Sequence, residues 1–514
     1  MKKALILLVA SLFGLVGSAQ VPIVAWENTI GGNWGDGCND MVPISDGGFL
    51  LGGGSASDAF GDKTEANIGE SDVWLVKIDA QGIVQWDVAI GGTANENLIS
   101  LDTTTDGGFI LGCVSNSGIS GDKTEANIGD YDYWILKTDA LGNIEWQNTI
   151  GGSGFEQVKT VYETEDEGFI VAGHSLSGIS GDKTEPNYGG ALGDIWILKL
   201  DGNGEILWQN TIGGTGDDYL LAARAGLNGS IYLAATSNSN IGVDKTENSN
   251  GGSADYWAVK LNSTGNIEWQ NTIGGNDADD MADLLVTSDG GALLIGTSRS
   301  NISGDKTEDN IGLNDFWIVK IDNQGNVEWD ETIGGDDSDD AYEVTGKGDA
   351  YLISGISKSG ISGDKSEANY GNWDYWVIEI DNSGNVLWQK TIGGNDWDVC
   401  YAMDLAEDGG IVLGGSSGSG ISGDKSEADI GNGDYWVVKI GPEMITGLNL
   451  PSLTLPQSWD CRIYNMAGQL VLFEKDKNSI SNKGTGLPAG LYIREYLDRE
   501  TGNSILKDKL VINE

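Results

Sequence analysis

Seven carboxylates are spaced through the chain as though to meet in one place: Asp36, Glu96, Glu156, Asp218, Asp279, Asp339 and Asp398. Each stands ten positions after a tryptophan that leads into a Gly-Gly pair. Converging carboxylates suit a cation such as calcium or the hydroxyls of a sugar. They suit their own turns too, because a carboxylate is a strong acceptor for backbone N–H groups. A role repeated identically in every copy favours the turn, since a site for one asymmetric ligand breaks the symmetry.

A second set of oxygen ligands is Asp62-Lys63-Thr64-Glu65, followed by Asn67 and Asp72, and it recurs from Asp122, Asp182, Asp244, Asp305, Asp364 and Asp424. The spacing is not that of a D-x-D-x-D-G calcium loop, and a lysine works against a metal cage. Local hydrogen bonding with Lys–Glu pairing is the expectation. Calcium stands as the candidate cofactor, and partner contact as the remaining alternative. Three tryptophans outside the repeat positions, Trp34, Trp373 and Trp397, lie in loops near the acidic positions. Aromatic platforms beside carboxylates suit neutral sugars, although a glycine-rich loop also buries a tryptophan as its own small core.

Catalytic signals are sparse. The single histidine, His174, lies within VAGHSLS, where a strand-packed imidazole is expected, and no Ser-His-Asp set accompanies it. Carboxylate pairs such as Asp336-Asp337 and Asp339-Asp340 leave a glycan-degrading enzyme open as an alternative. Their abundance makes any chosen pair unspecific, so no catalytic residue is assigned.

The elements that must position these groups are set by the tryptophans themselves: Trp26, Trp86, Trp146, Trp208, Trp269, Trp329 and Trp388, at intervals of 60, 60, 62, 61, 60 and 59 residues. Such a period marks a repeat architecture. Each copy holds four strand-length segments, seen as VQWDVAIGG, NLISLDTT, GFILGCVS and DYWILKTD, with Asp-Gly turns such as Asp106-Gly107 between the second and third. Glu167-Gly168 and Asn228-Gly229 read as variants of that turn. The last copy, ending at Ile440-Gly441, lacks the tryptophan strand that should complete it, while residues 23–30 supply a spare. The expected fold is therefore all-β: a seven-bladed β-propeller closed by the N-terminal strand. Strand alternation puts the Gly-Gly and long loops on one face, where binding is expected.

Composition bounds the partners. The chain has 514 residues, 79 glycines and a formal charge of -49, which disfavours nucleic acid and anionic lipid and favours a soluble monomer. Lys2 and Lys3, an apolar run and Gly17-Ser18-Ala19 form a secretory signal pattern, so residues 1–19 read as a signal peptide and export follows. No other run is long enough for a transmembrane segment. Cys38, Cys113, Cys400 and Cys461 are too scattered for a disulfide framework. Cys38 and Cys400 occupy equivalent places, as small buried side chains or as a bonded pair.

Residues 20–441 form the propeller and residues 442–514 a linker and second domain. There IYNMAGQLV, LPAGLYI and the closing KDKLVI resemble the C-terminal sorting domain of type IX secretion cargo in Bacteroidota, with LNLPSLTLPQ standing where that family usually has Pro-Asn-Pro. The resemblance implies a small immunoglobulin-like β-sandwich, type IX secretion machinery as a partner, and a passenger released or attached at the outer cell surface. The repeats, with their DGGF, SGDKTE, DYWI and WQNTIGG phrases, are similar to roughly sixty-residue surface propeller repeats found beside such domains. The expectation is an exported binding or adhesion protein for a glycan or protein ligand. The alternatives are the glycan-degrading enzyme and a structural repeat protein with no dedicated ligand.

Overall fold

The computed structural model describes residues 21–441, apart from 190–192 and 252–253, and the backbone of four strands nearer the C-terminus. The expected signal peptide lies outside the described residues. Blade one takes its strands in chain order from Asp36–Pro43, Phe49–Ser55, Asp72–Ile78 and Val84–Ile90, each antiparallel to the next. Five further sheets repeat that order. The seventh combines Asp398–Leu405, Ile411–Ser417 and Asp434–Ile440 with Val24–Ile30 from the start of the array, pairing Thr29 with Trp436. The first strands of the blades neighbour one another in a closed cycle, with Asp36–Pro43 lying against Asp398–Leu405. This is the expected seven-bladed β-propeller closed by its N-terminal strand.

The strand sequences state their depth. A third strand such as Asp132–Thr138, DYWILKT, is buried at every residue because both faces of its sheet are covered by neighbouring blades. The outer strand Ile144–Ile150, IEWQNTI, is only half-buried and correspondingly polar. Seven apolar clusters each span two adjacent blades, so no blade buries its own faces alone. The third-strand tryptophans are fully buried in them, and truncating one such side chain costs about 3–5 kcal/mol. Tyrosines tie blade to blade: the Tyr435 hydroxyl donates to the Trp74 carbonyl at 3.0 Å, with the two rings 5.0 Å apart.

The leading tryptophans close the outer edge. Trp146 covers the hairpin of the following blade at Gly204, where φ is +86° and a Cβ would stand 2.8 Å from the indole. Both the left-handed backbone and the space require glycine there. The variant turn of blade three differs from expectation: Glu167 itself, at φ 61°, takes the place that Gly107 takes in blade two, so the turn pair is Asp166-Glu167. Cys38, Cys113 and Cys400 are buried and free, which removes the bonded alternative for Cys38 and Cys400.

Residues Ile445–Glu514 form a separate compact unit. Its described strands make one antiparallel sheet in the order Leu470–Lys477, Trp459–Asn465, Gly490–Asp498, Ser504–Ile512. A second sheet, which the expected sandwich requires, is not among the described residues. No helix among the described residues is long and apolar enough to cross a membrane.

Candidate functional site

The seven carboxylates do form a ring on the long-loop side, one at the start of each inner strand, and each is at most 2% exposed. Each accepts the N–H of the second glycine of its own Gly-Gly pair, as Gly275 to Asp279 at 2.7 Å and Gly394 to Asp398 at 2.6 Å. A serine hydroxyl from the second strand or the loop after it adds a further bond, as Ser115 to Glu96 at 2.7 Å and Ser359 to Asp339 at 2.9 Å. Asp36, Glu156 and Asp218 repeat the pattern from Gly32, Gly152 and Gly214. These oxygens latch the connection between blades. A second acid faces the latch from the preceding blade: burial, reinforced by Glu156, pushes Asp132 up to about 6.

The long loops are ordered by the same economy of local bonds. Asp122 accepts the Gly91 N–H at 3.1 Å, and Glu125 accepts the Thr149 N–H at 2.6 Å. The lysine is not paired with the glutamate as expected. Lys123 turns inward instead, with Nζ 5.0 Å from the Trp134 ring centroid and 2.7 Å from Thr149 Oγ1, and burial holds its ammonium down to about 8. Among the described residues, no group of three or more His, Cys, Asp or Glu side chains is placed to hold a metal ion.

Trp34, Trp373 and Trp397 fall along one stretch of the rim, where blade seven meets blades six and one. Trp397 is half-buried against Gly418 and Gly433. The Gly433 carbonyl accepts the Asp36 N–H at 2.8 Å, two residues from Trp34, and the Trp373 carbonyl accepts the Asp398 N–H at 2.7 Å. Trp34 is 58% exposed, and Trp373 carries Lys358 over its ring at 4.3 Å.

The channel mouth itself is lined by residues that the repeat pattern hides. Side chains alternate along a strand, so the residue after each latch acid faces the opposite way, into the channel. Where the latch acids repeat, these residues differ: Asn97, Gln157, Tyr219, Asp280, Asp340 and Val399, with Gly37 in blade one. A bulge two residues further on, between Cys38 and Asp40 in blade one and at the same place in every blade, turns two successive residues toward the channel. An arc of rings follows: Tyr131 to Phe155 at 5.7 Å, Phe155 to His174 at 6.5 Å and His174 to Tyr219 at 6.2 Å, with Tyr342 and Tyr401 5.4 Å apart across the mouth. His174 is packed in its strand, and burial holds it neutral with a pKa of about 4. The usable signal in the sequence was the failure of these positions to repeat.

Deeper in the channel a charged belt crosses from blade to blade. Arg224 pairs with Asp283 at 2.7 Å. Asp40 accepts the Leu101 N–H of the next blade at 2.7 Å, and Asp283 accepts that of Val344 at 3.2 Å, so these acids also stitch neighbouring blades. Burial raises Asp40 to about 7 and Asp102 to about 6.

Fold and site together define a seven-bladed β-propeller whose repeated polar groups are architectural and whose channel mouth is asymmetric. No protein-family model matches the chain. The regulatory protein FlaEY of Caulobacter vibrioides is 25% identical over 270 residues, 50% of this chain and 27% of that protein, so the chain spans about a quarter of that relative's length. Among solved structures, the Pan2 WD40 domain of Neurospora crassa matches 81% of this chain and 96% of its own, with 11% identity and a TM-score of 0.43. A protein of unknown function from Dyadobacter fermentans matches 70% of this chain and 99% of its own, with 11% identity and a TM-score of 0.40. At those scores the likeness adds nothing to what the strand order already states.

Proposed function

We propose that this chain is an exported propeller that binds a glycan or protein ligand at the long-loop mouth of its channel, with its C-terminal unit acting as a type IX sorting domain. The observation that carries the reading is the break in symmetry. A carboxylate in the same place latches each of the seven blades, while channel-facing positions beside them differ from blade to blade and gather half-exposed aromatics and amides. A passive repeat gains nothing from that variety, whereas an asymmetric ligand requires it. Export is supported by the N-terminal signal pattern and by the IYNMAGQLV, LPAGLYI and KDKLVI segments.

The binding reading is tested by applying the mature chain to an array of glycans and surface proteins, with and without calcium. Saturable binding lost on Tyr342→Ala or Tyr219→Ala supports it, and absence of any binding overturns it. Deleting residues 487–514 tests the sorting reading: the protein should be retained within the cell envelope, and normal surface delivery would count against it.

A further inference from the structure

We propose that a hollow between blades one, two and three binds a neutral pyranose or short neutral oligosaccharide. This rests on the reading of the channel mouth as a ligand surface and narrows it to one pocket and one ligand class.

The hollow exists because blade one departs from the repeat twice. At the second residue of the inner strand the other six blades carry side chains, from Asn97 to Val399, and blade one has Gly37. At the residue before the last of the second strand the others carry Val114, His174, Thr236, Thr297, Ile356 and Ser416, and blade one has Gly54. The two glycines lie side by side, paired across the sheet. They leave a cavity of about 500 Å³ at the mouth, within the range typical of small-molecule sites. A Cβ on Gly54 would stand 2.5 Å from Asn97 Oδ1. One on Gly37 would meet only Ser416 Oγ of blade seven, at 3.7 Å, so a side chain fits there without a clash.

The lining selects the ligand. Tyr131 and Phe155, edge to face and half-buried, supply an apolar wall. Asn39 Nδ2 donates to Asn97 Oδ1 at 3.1 Å and to the Leu98 carbonyl at 2.7 Å, which fixes the Asn97 amide. Among the described residues, no lysine or arginine lines the cavity. The one carboxylate there, Glu96, is committed to Gly92 and Ser115. An anionic ligand would find no cation and a chain of formal charge -49, and a cationic one would find no free acid. A neutral ring with one apolar face and a rim of hydroxyls matches aromatic walls beside fixed amides.

Calorimetric titration of the mature full-length chain tests this, with cellobiose, maltose, lactose and N,N′-diacetylchitobiose as probes and glucuronate as an anionic control. Saturable binding of at least one neutral disaccharide is expected, and none of glucuronate. Gly37→Val installs the residue that blade seven already carries as Val399, so it should fill the hollow and weaken binding about tenfold or more with an unchanged Tm. Tyr131→Ala, which empties one wall, should weaken it by about tenfold without touching Gly37. Failure of all four disaccharides to bind would overturn the proposal. So would binding that survives both substitutions; if the same sugar is then lost on Tyr342→Ala, the pocket is wrong while the mouth still binds.

Discussion

The indole nitrogen of Trp436 donates to the Glu27 carboxylate at 2.7 Å, joining residues 409 positions apart in the chain. Glu27 also accepts the Ser426 N–H at 2.9 Å, so one side chain from the first strand completes both the third strand and the long loop of the last blade. In four other blades glutamine does this work, as Gln147 accepts from Trp134 at 3.1 Å and Thr124 at 3.0 Å. Glu27→Gln should therefore leave stability nearly unchanged, whereas Glu27→Ala should cost about 1–3 kcal/mol by stranding the indole N–H of the buried Trp436. Removing residues 21–30 should lower the melting of the whole ring in one cooperative step. Denaturant unfolding distinguishes these outcomes, and an unchanged transition after truncation would refute closure.

Latch acids should behave as structure. Asp279→Ala strands the Gly275 N–H and the Ser298 and Ser300 hydroxyls in a dry site, and should destabilise the ring by about 2–4 kcal/mol. Calcium or chelator should move Tm by less than about 1 °C, since each carboxylate already accepts a Gly N–H and a serine hydroxyl, as Asp279 does from Gly275 and Ser300. A large calcium-dependent rise would show a cation site and contradict the latch.

The rim tryptophans should separate by substitution. Trp34 is exposed, so Trp34→Ala should alter stability by no more than about 0.5 kcal/mol. Trp397 fills space against Gly418 and Gly433, so Trp397→Ala should cost about 1–3 kcal/mol. Equal losses would mean that burial has been misjudged at one of them.

Stability should rise as pH falls from 7.5 to 5. Burial, with a facing acid on the next blade, holds Asp194, Asp255 and Asp374 up to about 7 and Asp315 up to about 6, against 3.8 in the unfolded chain. The folded state thus binds more protons between about pH 4 and 7, and its advantage is complete below 3.8 and lost as pH rises through 6–7. Asp106, held down to about 2 by hydrogen bonds from Thr104 and Lys137, and Asp166, held down to about 2 by those from Lys199 and Thr164, work in the opposite sense and should cut stability below about pH 4. A maximum in Tm near pH 4–5 is expected. Asp194→Asn keeps an acceptor for the Tyr188 N–H and should shrink the pH 5 to 7.5 difference by about 1–2 °C. No change would show that Asp194 does not drive it.

Much of the ring was legible because its signals are local and repeated. The tryptophan period, the apolar DYWILKT strand and the missing last strand each constrain one blade, and Thr29 pairing with Trp436 follows once they are combined. Glu167 was misplaced by one residue because a left-handed turn usually announces itself through glycine, and here it does not. Lys123 was misassigned for a different reason: its neighbour Glu125 is close in sequence, but its partner Trp134 is reached only after the loop folds back.

By itself, then, the chain determined the number of blades, the strand that closes them and the acid repeated in each, because periodicity and turn chemistry act over a few residues. Only the tertiary structure decided what those acids do and where the mouth holds a cavity. Whether a carboxylate faces a dry latch or an open channel depends on strand alternation against a neighbouring blade, and the hollow at Gly37 and Gly54 arises only when three blades come together around residues that are not there.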